Sequence, residues 1–377
     1  MSDVRPPPPP LEDLITVRDF ERAARRVLSR NALGYFRSGA DGEATLRANR
    51  RAFSRWSIAY RVLVDVRAID LRVKVLGREL PTPLLIAPTA YHCLAHADGE
   101  LATARAATRT STTYVVSTLA TTSLEDVAKA SGAGPRWFQL YVHKDRELTK
   151  ELVARAEAHG YAAIVLTVDT PLLGRRIRDV KNRFALPPSM RMMNLVPEGA
   201  TLPDPTSASY LAAYVAARHD ASLGWKDVEW LRSITKLPIV LKGIVRGDDA
   251  RLASDAGASA IIVSNHGGRQ LDGAPATLDA LPRVLEGVAS GNREVEVLLD
   301  GGIRWGTDVL KALALGARAV LLGRPILWGL ALGGEEGVVR VLDIFKDELT
   351  RAMALAGAPE IAALSSQSGG GLLVPSR

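Results

Sequence analysis

The sequence predicts an α/β fold: a (β/α)8 TIM barrel with an N-terminal helical segment and a long loop-4 lid after strand 4. Three observations lead there. Eight short apolar runs follow one another between residues 84 and 322, with helical patterns in nearly all the gaps. Runs that are apolar without alternation read as strands buried on both faces, as in a parallel sheet. Most of them stop at polar residues, where barrel enzymes place their chemistry. The 377 residues, 47% of them hydrophobic, suffice for one large core, since single barrels run from about 200 to over 400 residues.

Residues 1–13 are expected to be a proline-rich flexible arm, with polyproline II across Pro6 to Pro10. Residues 14–365 are expected to form one domain, and 366–377 a flexible tail. The spacing of Val17, Phe20, Ala24, Val27 and Leu28 predicts an amphipathic helix over 14–30. A second short helical pattern leads into Gly34 to Ala40. Strands are expected at 84–87, 114–117, 137–141, 163–168, 238–242, 260–264, 295–300 and 319–322. Helices are expected at 97–110, 123–131, 145–159, 247–256, 278–289 and 307–316. Between Asp169 and Leu237 the chain is far longer than one βα unit needs. A long insertion at the catalytic face reads as a lid or binding loop. Within it 199–205 is turn-rich and 210–217 looks helical again.

The formal net charge is +7, but basic residues are spread and many sit beside acids, as in Lys144-Asp145-Arg146-Glu147. A nucleic-acid binder would gather them in a stripe; Arg22, Arg25, Arg26 and Arg30 read as a solvated helix face. A basic chain that draws in anionic substrates fits the charge equally. No apolar run reaches the roughly 18 residues of a membrane span, and no secretory leader is visible. The single cysteine, Cys93, fits a reducing compartment. His92 and His96 are four apart but lack a third ligand, so no metal is expected. No Gly-x-Gly-x-x-Gly follows a first strand, so a Rossmann site is not indicated.

The densest chemistry follows the sixth run. Ile261-Ile262-Val263-Ser264-Asn265-His266-Gly267-Gly268-Arg269-Gln270 sets a group able to move protons near neutral pH three residues from a guanidinium suited to a carboxylate. The glycines let the backbone turn sharply. That combination points to acid–base work on a small carboxylate. The other strand ends carry Ser117, Gln139, Tyr141, Thr167, Asp169, Lys242 and Asp300. Asp300-Gly301-Gly302-Ile303-Arg304 and Gly323-Arg324 follow the last two strands, where barrels frequently bind phosphate; together they suggest a phosphate-bearing cofactor.

The stretch from Ser264 to Gln270 closely resembles the signature of the FMN-dependent α-hydroxy-acid oxidases and dehydrogenases, which include glycolate and lactate oxidases. Pro88-Thr89-Ala90, Gln139-Leu140-Tyr141, Thr167-Val168-Asp169, Gly174-Arg175-Arg176, Lys242-Gly243, Asp300 to Arg304 and Gly323-Arg324 also look like family motifs in family order. So do the Tyr35 to Ala40 segment and Ala48 to Trp56. The resemblance spans about 15–363 and implies these roles. FMN lies across the barrel mouth, with Thr89, Ala90, Ser117, Gln139 and Thr167 lining its ring and Lys242 near N1 and O2. Ser264 joins the cofactor set, and Asp300, Gly302, Arg304, Gly323 and Arg324 hold the ribityl chain and phosphate. Tyr35, Arg176 and Arg269 grip the substrate carboxylate, Tyr141 meets the substrate hydroxyl, His266 is the base and Asp169 orients it.

The implied reaction takes an L-2-hydroxy acid to the 2-oxo acid. With no haem domain ahead of the barrel, O2 is the favoured acceptor, giving hydrogen peroxide; a mandelate-type dehydrogenase passing electrons to a quinone or other carrier is the alternative. Leu119 stands where glycolate-type members carry Trp, which favours lactate or longer acids. Tyr91-His92-Cys93 also departs from the usual pattern. In relatives the long insertion covers the active site; here charges and prolines interrupt it, as in a soluble lid without a membrane segment. A homotetramer is the family's common assembly. The cytoplasm is the expected location and the peroxisome the alternative, although Val374-Pro375-Ser376-Arg377 does not match a Ser-Lys-Leu end.

Overall fold

The computed structural model describes residues 8–195, 218–364 and 371–376. The chain enters through a 3-10 turn at Leu11–Asp13, then α1 (Val17–Val27), α2 (Arg30–Arg37) and α3 (Ala44–Ala52). Leu11 lies close against Gly333, where an added Cβ would come within 2.7 Å of its side chain, so the proline-rich arm is anchored at its end. The helix expected over 14–30 is α1, which ends three residues earlier at Val27, and the second short helical pattern is α2. Thr16 and Asp19 cap each other's backbone at the start of α1. At Leu28 the backbone turns extended, and the Ser29 hydroxyl accepts from the Ala32 N–H at 3.1 Å to begin α2.

β1 (Trp56–Ile58) precedes a hairpin of β2 (Val73–Val75) and β3 (Arg78–Leu80). The eight barrel strands are β4 (Leu84–Ile86), β5 (Thr113–Ser117), β6 (Arg136–Leu140), β7 (Ile164–Thr167), β8 (Ile239–Ile244), β9 (Ala260–Val263), β10 (Glu296–Asp300) and β11 (Ala319–Leu322). All pair in parallel, and β11 pairs with β4 to close the ring. The helices between them are α4 (Gly99–Arg109), α5 (Leu124–Ser131), α6 (Arg146–Ala158), α7 (Ile177–Lys181), α8 (Trp225–Ser233), α9 (Gly247–Asp255), α10 (Thr277–Ala289) and α11 (Gly306–Ala314). α12 (Arg324–Ala356) follows β11 and breaks at Gly333 and Gly334, whose backbones are not helical. The stretch expected to be a loose tail supplies β12 (Leu373–Pro375), antiparallel to β1. The expectations for 199–205 and 210–217 lie outside the described residues.

Strand residues alternate between two environments. Leu84 and Ile86 join the cluster beneath the surrounding helices. Leu85, Val115, Trp137, Val165, Val240, Ile262 and Leu298 point into the barrel, where Val73, Val75 and Leu80 of the hairpin join them. The Leu76 N–H donates to Glu296 at 3.0 Å at the start of β10, so the hairpin closes the N-terminal end. The opposite end is left for the site.

Candidate active site

Two residues beyond the inward apolar layer the same alternation presents Ser117, Gln139, Thr167, Lys242, Ser264 and Asp300, all buried. They form a hydrogen-bonded belt. Ser117 Oγ donates to Gln139 Oε1 at 3.2 Å, and Gln139 Nε2 to Thr167 Oγ1 at 3.0 Å. Lys242 Nζ lies 3.1 Å from Ser264 Oγ and 3.3 Å from Asp300 Oδ2. Asp300 Oδ1 has no partner among the described residues.

Past β9 the chain turns through three consecutive positive φ angles, 58° at His266, 64° at Gly267 and 74° at Gly268. A side chain at Gly268 would collide with Leu46 N at 2.5 Å, so glycine is required there. His266 occupies a region that non-glycine residues seldom adopt. The turn is held by Asn265, whose amide exchanges two 2.8 Å hydrogen bonds with Asn49 on α3 and accepts from the Gly268 N–H. His266 Nδ1 lies 2.9 Å from Asp169 Oδ1. Gly243, at φ 116°, makes room for that carboxylate: a Cβ there would come within 2.6 Å of Asp169 Cβ. Burial lowers the His266 pKa, Asp169 works against this, and Lys242 adds to it; the net shift is down. Burial alone would raise Asp169, but His266 and Lys242 overcome that and leave its carboxyl lowered. The pair therefore rests as neutral imidazole beside carboxylate.

Across the cleft stand the cations. The Arg269 guanidinium lies over the Tyr35 ring, 4.9 Å from its centroid, and its Nη1 donates to the Tyr35 and Ser38 carbonyls. Burial, and next Arg176, lower its pKa to about 10. Arg176 also lies over Tyr35, at 5.7 Å, and its Nε and Nη1 are buried with no partner among the described residues. Unpaired buried guanidinium donors are costly unless an anion meets them. Tyr35 is fixed by stacking on Phe184 at 4.5 Å. Tyr141 is buried, and its hydroxyl pKa is raised by desolvation, with Asp169 adding.

The cleft encloses about 1050 Å3 including its mouth. Among the described residues Arg176, Lys242, Arg269, Arg304 and Arg324 border it against the single carboxylate of Asp300, so it is built for anions. At its far end Gly301 and Gly302 have φ of 102° and 85°. A Cβ on Gly302 would meet Asn49 O at 2.2 Å. The buried Arg304 Nε has no partner among the described residues. Arg324 is held by the Phe36, Gly267 and Ser38 carbonyls.

Of the residues singled out from sequence, Tyr35, Thr89, Ala90, Ser117, Tyr141, Arg176, Lys242, His266, Arg269, Asp300, Gly302, Arg304, Gly323 and Arg324 border this one cleft. Asp169, Gln139, Thr167 and Ser264 stand one layer back, hydrogen-bonded to residues that border it or to one another. His92 is fully buried between Thr89 and Thr103 hydroxyls, a structural place. Sequence reasoning missed Phe36, Leu173 and His219, which also border the cleft. His219 lies at the end of the long insertion, with no nearby motif to draw attention to it.

Comparison with known proteins agrees with this geometry. The family model described as FMN-dependent dehydrogenase matches residues 24–368. Human 2-hydroxyacid oxidase 1 is 52% identical over 93% of this chain and 95% of its own. L-lactate oxidase of Nostoc sp. is 54% identical over 92% and 95%. A solved mandelate oxidase bound to (S)-4-hydroxymandelic acid has a TM-score of 0.87 at 43% identity, covering 93% of this chain and 97% of that one. With the barrel, the anion-ready cleft and the matching extent in agreement, this chain belongs to the FMN-dependent dehydrogenase family.

Proposed function

We propose that the protein oxidises an L-2-hydroxy acid to the 2-oxo acid, with O2 as the final electron acceptor and hydrogen peroxide as its product. The observation that carries this is His266, held by Asp169 at 2.9 Å, bordering one cleft with Arg176 and Arg269. FMN fits the residues present. The orphaned Arg304 Nε and Asp300 Oδ1 suit a phosphate and a ribityl hydroxyl, with Gly302, Gly323 and Arg324 alongside. Thr89, Ala90, Ser117, Gln139 and Thr167 would hold the flavin ring, with Ser264 beside Lys242. Bound FMN supplies the two-electron acceptor chemistry; the protein supplies orientation and electrostatics.

Tyr35, Arg176 and Arg269 bind the substrate carboxylate, which meets the unpaired Arg176 donors. Tyr141 is placed to hydrogen-bond the substrate hydroxyl. With Nδ1 engaged by Asp169, Nε2 of His266 is the atom that takes the substrate proton. Asp169 then offsets the imidazolium charge. Leu119, buried at the cleft wall, leaves space beyond the α-carbon, so lactate or a longer acid is preferred over glycolate. Oxygen consumption with glycolate, L-lactate and L-2-hydroxybutyrate tests this. A kcat/KM that is highest for glycolate overturns the preference, and no turnover of any of the three overturns the reaction.

The described residues include no helix long and apolar enough to cross a membrane; cytoplasmic residence, with the peroxisome as alternative, is tested by cell fractionation. A homotetramer is the proposed assembly, and light scattering of the purified protein reads it directly.

A further inference from the structure

Beside the anion cleft lies a second hollow of about 930 Å3 including its mouth. Val142, Pro171, Leu223, Trp225, Val228 and Ile244 line it, together with Thr167, Thr170 and the residues around Asp220. Its charged lining residues are Asp220 and Asp249; no lysine or arginine borders it among the described residues. The two spaces thus differ in chemistry. One collects cations, and the other sets two carboxylates among apolar and hydroxyl side chains, so a substrate carboxylate is drawn to the first and repelled by the second.

Three residues, Tyr141, Thr170 and His219, border both. The His219 imidazole stacks on the Tyr141 ring, with centroids 4.6 Å apart and planes 23° from parallel. His143 packs edge-on against it at 5.4 Å. The backbone on either side is fixed: Lys144 N–H donates to Arg218 O at 2.9 Å and Asp220 N–H to Val142 O at 3.2 Å. Burial, with His143 adding, pushes the His219 pKa down to about 3. The ring is therefore neutral and adds nothing to the carboxylate grip.

We propose that His219 is a specificity-determining residue. Its imidazole, stacked on Tyr141, is the partition that stops the substrate side chain short of a second hollow, whose Val142, Leu223, Trp225, Val228 and Ile244 side chains can hold the tail of a medium-chain 2-hydroxy acid. The inference rests on the reading of the cleft as a 2-hydroxy-acid site. With the carboxylate on Arg176 and Arg269, a growing side chain that heads toward Tyr141 and Thr170 meets the His219 ring. Removing the ring joins the two spaces, and each methylene then buried is worth roughly four-fold in binding.

The test uses the FMN-loaded protein and its His219→Ala, His219→Phe and Leu223→Trp/His219→Ala variants, each checked by thermal melting. Straight-chain L-2-hydroxy acids of three to eight carbons are compared by kcat/KM, and propionate and octanoate by calorimetric binding. For His219→Ala, the ratio of 2-hydroxyoctanoate to lactate kcat/KM should rise at least ten-fold, and octanoate should tighten relative to propionate. His219→Phe restores a ring and should keep the wild-type profile. Filling the hollow in Leu223→Trp/His219→Ala should reverse the gain, whereas Leu223→Trp alone should leave lactate turnover unchanged. A uniform loss across the series in His219→Ala, with the ratio unchanged, overturns the proposal, because it reduces His219 to a support for Tyr141. An unchanged octanoate-to-propionate ratio overturns it too. Absence of turnover with every acid by the wild type fails the proposed reaction instead, and carboxylate binding still decides the partition.

Discussion

The two ends of the barrel interior are built from the same strands and differ in almost everything else. Val115, Trp137, Val165, Val240 and Leu298 fill the lower layer, closed by the β2–β3 hairpin. Two residues further along the same strands, Ser117, Gln139, Thr167, Lys242 and Asp300 form the polar belt. The lower layer is apolar and closed. The upper one carries a histidine with a positive φ and buried donors on Arg176 and Arg304 that have no partner among the described residues. The strands below hold rigid what would cost stability above, a division common to functional sites.

Substitutions on the two sides should separate cleanly. The largest effect is expected from His266→Asn. Asparagine tolerates the backbone angle but cannot take the proton, so kcat should fall by about a thousand-fold with melting nearly unchanged; retained activity would break the contrast. Arg269→Lys keeps the charge and loses the planar fork. A kcat/KM loss of about ten- to a hundred-fold is expected from one charged hydrogen bond, read as steady-state kinetics on L-lactate. In the lower layer, Leu85→Ala empties a fully buried position. It should cost about 2–5 kcal/mol in denaturant unfolding while the remaining folded enzyme keeps its kcat/KM.

The smallest effect is a pH displacement. The base works unprotonated, so activity is lost as pH falls through the His266 pKa. Because that pKa is lowered from 6.5, the acid limb of kcat/KM should have its midpoint below 6.5. Asp169 opposes the lowering, so Asp169→Asn should move the midpoint further down as well as slow the reaction. An upward movement would mean that the pair does not rest as neutral imidazole beside carboxylate.

The barrel was legible because each strand is a short continuous apolar run and strand ends coincide with polar residues; the observed ends fall within two residues of those expected. The candidate site was legible for the same reason. Period-two alternation carries an inward Val165 to an inward Thr167, and Val240 to Lys242. What escaped has long-range causes. β2, β3 and β12 combine three-residue length with partly exposed sequences, unlike the fully apolar β4, and β12 exists through pairing with β1, more than 300 residues earlier. α1 ends three residues before its expected end, where the Leu28 backbone turns extended and Ser29 begins to cap α2. His219 reaches Tyr141 through backbone bonds from 218 and 220 to 144 and 142, a juxtaposition no local window contains.

The most direct test of the central claim is the anaerobic absorption spectrum of the purified protein before and after L-lactate. The flavin bands should bleach, then return with formation of hydrogen peroxide when air is admitted. Bound flavin that bleaches and returns only very slowly in air would contradict O2 as acceptor. A protein that neither contains FMN nor takes it up would contradict the account as a whole.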